Sequence, residues 1–356
     1  MKALITAGGK GTRLRPITHT RNKHLIPIAN KPILHYAIEY VAEAGIRDVG
    51  IIVNADTDDV QQAMGDGSRW GLRIRYIPQE APLGLAHCIK ISRDFLGKEP
   101  FVFYLGDNMV VGGIRRFQEE FLARKSNCHL TLARVKDPER FGVPEIQGDR
   151  IVRVVEKPKT PASQFAVSGI YFYDSTIFEA VNAIQPSARG ELEISDAHQY
   201  LLDHGRKVTF SEITGWWKDT GLPDDLLEAN RLVLDHIEAN DPKDAVVDED
   251  SNIAGKVVLM PGARIINSNI RGPAIIGART VIENSYVGPY TAIAEDCLIR
   301  NSEVEFSIVL AHCTIRDIGI RIEGSLLGCD TTLERARAKP RTHRFVLGDQ
   351  GMVEIA

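Results

Sequence analysis

Along the first 240 residues, short apolar runs alternate with stretches whose apolar residues recur at helical spacing. "KALITA", "DVGIIVN", "RIRYIPQ" and "PFVFYLGD" are brief, apolar and closed by polar or turn residues, the pattern of buried strands. Between the first two, "KPILHYAIEYVAEAG" sets Leu34, Ala37, Ile38 and Val41 on one helical stripe. Pro32 suits the first turn of that helix and Gly45 is a natural stop. Alternation of this kind predicts an α/β domain with a mixed, mainly parallel sheet and ligands at the carboxyl ends of its strands. Those ends carry "AGGKGTR", "QEAPLG" and "GDN", so three polar clusters are expected to converge on one crevice.

The period then changes. After "DDLLEANRLVLDHIEAN" and the Asp-rich "DPKDAVVDEDS", aliphatic residues recur at six-residue steps, with occasional steps of five: Ile253, Leu259, Ile265; Ile276, Ile282; Val287, Ile293, Ile299; Val309, Ile315. One inward aliphatic per six residues predicts a parallel β-helix whose coils bury their faces on one another. The expected organisation is therefore a domain over residues 1–240, a linker over 241–250, hexapeptide-like repeats over 251–338 and a tail over 339–356. Cys297, Cys313 and Cys329 recur every sixteen residues, close to one coil, and are expected to stack as small buried side chains.

Charge narrows the partners. The chain has 356 residues with 43 Lys and Arg against 47 Asp and Glu, so no overall basic field draws it to nucleic acid or to an anionic membrane. A small-molecule partner is expected. No two of the five cysteines form a CxxC pair, which fits reduced thiols and a cytoplasmic location. No apolar run approaches the roughly 18 residues of a membrane span, and the first strand begins without the charged and apolar regions of a secretory leader.

"AGGKGTRLRP" follows the first strand. Glycines allow close backbone approach and the N–H groups of such a loop cradle anions, which Lys and Arg complete. It is neither of two familiar phosphate loops: Gly11 follows Lys10 where a P-loop needs Ser or Thr, and Leu14 stands where a dinucleotide fingerprint needs its third glycine. Asp107 closes an apolar strand and Asp219 lies in "WWKDTG"; two such carboxylates suit Mg2+, which takes one or two carboxylates plus phosphate oxygens. "EKP" supplies Glu156 and Lys157, and the aromatic "SGIYFY" follows a few residues later, a combination suited to a sugar.

Taken in order, "AGGKGTRLRP", "QEAPLGLAH", "LGDN", "FGV", "EKP", "GIYFYD", "PSARGELEISDA" and "GWWKDTG" closely resemble the sugar-nucleotide pyrophosphorylases, specifically the glucose-1-phosphate thymidylyltransferases in their long form with a C-terminal left-handed β-helix. The resemblance implies a Rossmann-like nucleotidyltransferase domain that joins dTTP and glucose 1-phosphate with Mg2+ as cofactor, in a homo-oligomer. It implies that Gly8, Gly9, Gly11, Thr12, Arg13 and Lys23 hold the triphosphate and that Gln79 and Gly84 take the base. Asn108, Gly142, Glu156, Lys157, Val167 and Gly169 fall on the sugar-phosphate side, Asp107 and Asp219 on the metal, and Arg13 and Lys157 on the transferring group. Three other functions share the fold: the same transfer from UTP, a bifunctional enzyme whose repeats transfer acetyl groups with His312 as base, and a non-catalytic scaffold subunit. Since all assigned residues precede the linker, a chain cut near Asn240 is expected to keep nucleotidyl transfer.

Overall fold

The computed structural model describes residues 1–240, 244–336, 339 and 343–355. Residues 241–243 of the expected linker, and 337, 338, 340–342 and 356 of the expected repeats and tail, lie outside the described residues. The chain divides into two compact units. Met1–Lys10, Asn22–Leu25 and Ile33–Asp219 form the first; Gly11–Arg21, Ile26–Pro32 and Thr220–Ala356 form the second.

The first unit is built on a seven-stranded sheet. Its strands are β1 (Lys2–Thr6), β2 (Asp48–Asn54), β3 (Arg73–Gln79), β4 (Phe101–Leu105), β5 (Cys128–Arg134), β6 (Phe165–Tyr173) and β7 (Val208–Glu212), in the spatial order β7-β5-β6-β4-β1-β2-β3. β1 runs parallel to β2 and β4, β2 to β3, and β5 to β7, whereas β6 is antiparallel to β4 and β5. The four apolar runs of the sequence are β1 to β4. β1, β2 and β4 read as continuous because both faces of the sheet are covered there: Ala3, Ile5, Val49, Ile51 and Tyr104 enter one buried cluster, and Leu4, Ile52, Phe101 and Phe103 the other. β3, expected to be buried like them, is an edge strand that exposes Arg73, Arg75 and Pro78 and buries only Ile77.

Helix Ile33–Glu43 buries Leu34, Ala37, Ile38 and Val41 completely in the first cluster, as its stripe predicts. Pro32 instead closes the two-residue strand Lys31–Pro32, so the helix starts one residue later than expected; its fixed φ and missing N–H suit either place. Gly45 takes the left-handed φ of 81° that ends the helix. From β1 the chain proceeds through β2 and β3 on one side and returns to β4 on the other. The crevice of such a sheet opens at this reversal, outside the ends of β1 and β4.

In the second unit, three parallel sheets of six, five and five strands carry the repeats, an arrangement consistent with a left-handed β-helix. Asn252, Asn269, Tyr286 and Glu303 pair in sequence down one sheet, a coil of 17 residues that two steps of six and one of five produce. Each inward aliphatic read from the sequence is at most 4 % exposed, except Ile253, which packs against the same core; Ile270 and Val304 complete the column. One turn of each coil holds Asn267, Asn284, Asn301 or Asp317 at a φ between 44° and 58°, a conformation Asn and Asp tolerate. Asn267 Nδ2 donates to Asn284 Oδ1 at 2.7 Å and Asn301 Nδ2 to Asp317 Oδ1 at 2.6 Å. The Ser268, Ser285 and Ser302 hydroxyls each accept a backbone N–H from the next coil at 3.1–3.2 Å.

The cysteine expectation needs one correction. Cys297 and Cys313 stack and are buried, but Thr314 pairs with Thr332, a step of 18 residues, so Thr331 and not Cys329 continues the column. Cys329 is partly exposed, and its Sγ accepts from Arg21 Nη2 at 3.0 Å. Two further contacts tie the early loop into this unit: His19 Nε2 lies 3.2 Å from Asp349 O, and a Cβ on Gly328 would come within 3.2 Å of Ile17 Cδ1. Helix Pro223–Leu234 contributes the buried Asn230, whose amide accepts from Ala29 N at 2.9 Å and donates to Tyr290 O at 3.0 Å.

Candidate active site

β1 ends at Thr6, and Gly8 runs so close to β2 that a Cβ there would sit 3.2 Å from Asn54 N and Val53 C. Asn22 braces this turn: Nδ2 donates to Ala7 O at 3.0 Å, while Oδ1 accepts from His24 N at 3.0 Å and lies 2.8 Å from His24 Nδ1. Burial, and secondarily the Lys23 charge, pushes the pKa of the His24 ring from 6.5 to about 3, so it is neutral at physiological pH.

At the end of β4, Asp107 forms an ion pair with Lys23, the two side chains 14 % and 13 % exposed. Burial pushes the Asp107 carboxyl up, but the Lys23 charge and the hydrogen bonds from Lys23 and Asn108 outweigh it and hold the group below the usual carboxylate range. Asn108 is a hub. Its Nδ2 donates to Asp107 Oδ1 at 3.0 Å, and its Oδ1 accepts from Trp217 Nε1 at 2.8 Å and Gly169 N at 3.3 Å. An antiparallel ribbon of Asn108–Val110 with Trp217–Asp219 sets Asp219 directly opposite Asn108. Two acidic residues more than a hundred positions apart in sequence thus come to the end of β4, Asp219 on the strand position beside Asp107's chain neighbour. Among the described residues no group of three or more acidic, His or Cys side chains is placed to hold a metal. Two carboxylates are a donor type that Mg2+ accepts, with its remaining ligands taken from phosphate oxygens. Lys23 supplies the positive charge that Asp107 faces in this structure.

A second ribbon, Gly142–Gln147 with Arg150–Glu156, pairs Gly142 with Glu156. Ser195 Oγ donates to Glu156 Oε2 at 2.7 Å, and a Cβ on Gly142 would press on that hydroxyl at 2.8 Å. Lys157 Nζ is 3.6 Å and Arg189 Nη2 3.7 Å from Glu156 Oε1. Lys157 adopts φ 43°, a left-handed conformation uncommon for Lys, fixed in part by its N–H bond to Phe141 O at 3.0 Å. Conformations of this kind are concentrated at functional sites. Val167 and Gly169 lie on β6 where its register with β5 shifts, and a Cβ on Gly169 would meet Asn108 Nδ2 at 2.7 Å.

Gln79 ends β3, with β2 between it and β1. Gly84 takes φ 100°, and a Cβ there would lie 2.4 Å from Leu192 O, so backbone packing alone demands glycine. Leu192 N donates to Leu83 O at 2.8 Å, and Arg189 grips Glu193 with Nη2 2.8 Å from both carboxylate oxygens. One loop therefore packs on Gly84 and also reaches Glu156. Arg189, Ser195, Asn22 and Trp217 went unassigned in the sequence, although all but Asn22 stand inside the quoted motifs. Gly11, Thr12 and Arg13 fall in the second unit: Gly11 is at φ 59°, its carbonyl accepts from Thr18 Oγ1 at 2.7 Å, and Thr12 and Arg13 are exposed on a 3-10 turn. His312 is in the second unit too, on a turn, with Nδ1 4.0 Å from Asp296, which Arg279 already holds at 2.7 Å.

A Rossmann-like sheet with a glycine turn and paired carboxylates at its reversal point defines a nucleotide-handling transferase. The chain belongs to the nucleotidyl transferase family, whose model matches residues 2–236. It is 51% identical over 358 residues, 100% of each chain, to the glucose-1-phosphate thymidylyltransferase of Streptomyces griseus. Identity to the enzyme of the same name from Streptomyces antibioticus is 49%, over 100% of this chain and 99% of that one. A crystal structure from Bacillus anthracis, described as a candidate glucose-1-phosphate thymidylyltransferase in complex with sucrose, aligns with a TM-score of 0.63 and 40% identity over 68% of this chain and 98% of its own. The family resemblance read from the motifs is borne out. No helix among the described residues is long and apolar enough to cross a membrane.

Proposed function

We propose that the chain transfers the thymidylyl group of dTTP to α-D-glucose 1-phosphate, giving dTDP-glucose and pyrophosphate. The observation that carries this reading is the junction of Asp107, Asn108 and Asp219 at the end of β4, with Lys23 on one carboxylate and Gly169 against Asn108. The names of the full-length relatives support the choice of substrates.

In this reading Gly8, Gly9 and Gly11 let the backbone wrap the triphosphate, Arg13 and Lys23 bind its oxygens, and Gln79 and Gly84 take the base. Glu156, oriented by Ser195, accepts from glucose hydroxyls, and Lys157 grips the 1-phosphate. The sugar-phosphate oxygen attacks the α-phosphorus in line and pyrophosphate departs from the opposite side. A phosphate monoester is already ionised at neutral pH, so the chain's part is to align the two phosphates and to stabilise charge through Arg13 and Lys157. Asp107 and Asp219 would hold Mg2+, which neutralises charge on the phosphate oxygens.

A matrix of nucleoside triphosphates against sugar 1-phosphates, read by pyrophosphate release, tests the proposal. dTTP with glucose 1-phosphate should give the highest kcat/KM, and a higher value with UTP would reassign the nucleotide. UTP is the second reading because Gln79 meets the same polar edge on uracil and thymine, and one methyl is worth only about 1–3 kcal/mol.

A further inference from the structure

Gln79 and the helix Leu85–Ile91 face each other across the turn at Gly84. Gln79 Nε2 lies 3.1 Å from His87 Nδ1 and 3.4 Å from Gly84 O, and Cys88 Sγ donates to the same Gly84 carbonyl at 3.6 Å. Acceptors thus surround one end of the amide. That end must be the NH2 group, because an amide oxygen placed there would face a carbonyl oxygen with no proton between them. With the nitrogen so engaged, Oε1 is turned away from the helix and offers only a lone pair.

We propose that His87 is a positioning residue that fixes the Gln79 amide and thereby selects pyrimidines bearing an N3–H, thymine and uracil, over cytosine. This rests on the reading of Gln79 as the base-binding residue. Thymine and uracil donate from N3, which Oε1 can accept; cytosine presents a lone pair at N3, which Oε1 repels. For cytosine the amide would have to turn over, giving up its bond to His87 and setting Oε1 against Gly84 O. To accept, His87 must carry its proton on Nε2 and be neutral. Its surroundings favour that state: burial first, then the Lys90 charge, moves the ring below its ordinary pKa, against a smaller opposing effect of Glu80.

The test compares kcat/KM for dTTP and dCTP at saturating glucose 1-phosphate in the full-length chain, in the original protein and in His87→Leu, His87→Gln and His87→Lys. His87→Leu removes the acceptor and should lower the dTTP/dCTP ratio about tenfold, the scale expected when one partly buried hydrogen bond sets a polar choice. His87→Gln offers a carbonyl to the same NH2 and should restore most of the ratio. His87→Lys offers only donors, so the amide should turn over and the ratio fall at least as far as in His87→Leu, which keeps the test decisive if the leucine variant does not fold. KM for glucose 1-phosphate should stay constant throughout. An unchanged ratio in His87→Leu and His87→Lys, or an equal fall in His87→Gln, would overturn the proposal while leaving the assignment of Gln79 intact. An original protein that does not distinguish dTTP from dCTP would overturn both.

Discussion

Gly169→Ala adds one methyl group at the most crowded point of the candidate site. The new Cβ would lie 2.7 Å from Asn108 Nδ2, 2.8 Å from Asn108 Cγ and 2.8 Å from Leu105 Cβ. Leu105 is fixed in β4, so the Asn108 amide has to swing away. It would then surrender the bonds from Trp217 Nε1 and Gly169 N and its own donation to Asp107. Three hydrogen bonds at about 1 kcal/mol each give a loss of about 3 kcal/mol. For a unit of this size that lowers the unfolding midpoint by roughly 6–12 °C. Because Asp107 loses a neighbour that orients it, kcat should fall about tenfold as well. Calorimetry and steady-state kinetics on the full chain measure both. Gly319→Ala is the control, since nothing lies within 4 Å of its Cβ position and it should behave as the original protein. Combining Gly169→Ala with Asn108→Ala removes the clash with the amide and leaves the one with Leu105 Cβ, so the pair should cost less than the sum of its parts. A Gly169→Ala protein that melts and turns over like the original would refute the packing argument.

Three further outcomes are expected. Asp107→Asn and Asp219→Asn should each cut kcat by orders of magnitude, and together by far less than the product, as groups serving one ion do; near-original turnover in either would remove that residue from the metal site. Ser195→Ala should raise KM for glucose 1-phosphate several-fold at saturating dTTP and leave KM for dTTP unchanged, since the lost bond orients only Glu156. His198 is fully buried, with its pKa moved from 6.5 to about 3 by burial. The unfolded chain therefore binds a proton that the folded one refuses between these values, and stability present above pH 6.5 is lost as pH falls; between pH 7 and 4.5 this one ring accounts for about 2–3 kcal/mol. His198→Phe should unfold less steeply with acid over that window in urea titrations, and an unchanged slope would show that the ring is not the cause.

Much of the fold was written in periodicity. Leu34, Ala37, Ile38 and Val41 all face one core because a stripe at helical spacing has only one apolar side to bury. The inward aliphatics of the repeats were legible for the same reason, one per face. Register was not: whether a coil takes 16, 17 or 18 residues depends on how each turn closes, and Cys329 falls off the cysteine column by two positions for that reason. The grouping of Gly11–Arg21 with the repeats was equally hidden, because contacts such as Arg21 with Cys329 join segments with no common pattern. It also bears on the expectation for a chain cut near Asn240, since that cut would remove Gly328, Cys329 and Asp349, which the early loop touches.

At the site, carboxylates and glycines were conspicuous because each broke a local pattern, Asp107 at the end of an apolar strand above all. Ser195, Arg189 and His87 broke none. They lie on or beside ordinary helices, and only the fold brings them to Glu156 and Gln79.

The most direct test of direct thymidylyl transfer is the stereochemistry at the α-phosphorus. One diastereomer of dTTP bearing sulfur on that phosphorus, turned over with glucose 1-phosphate, should yield one equivalent of pyrophosphate and a thio-dTDP-glucose of inverted configuration, because a single in-line attack inverts the centre. Retention would require two displacements and a covalent enzyme intermediate, and either retention or the absence of a sugar nucleotide would contradict the account.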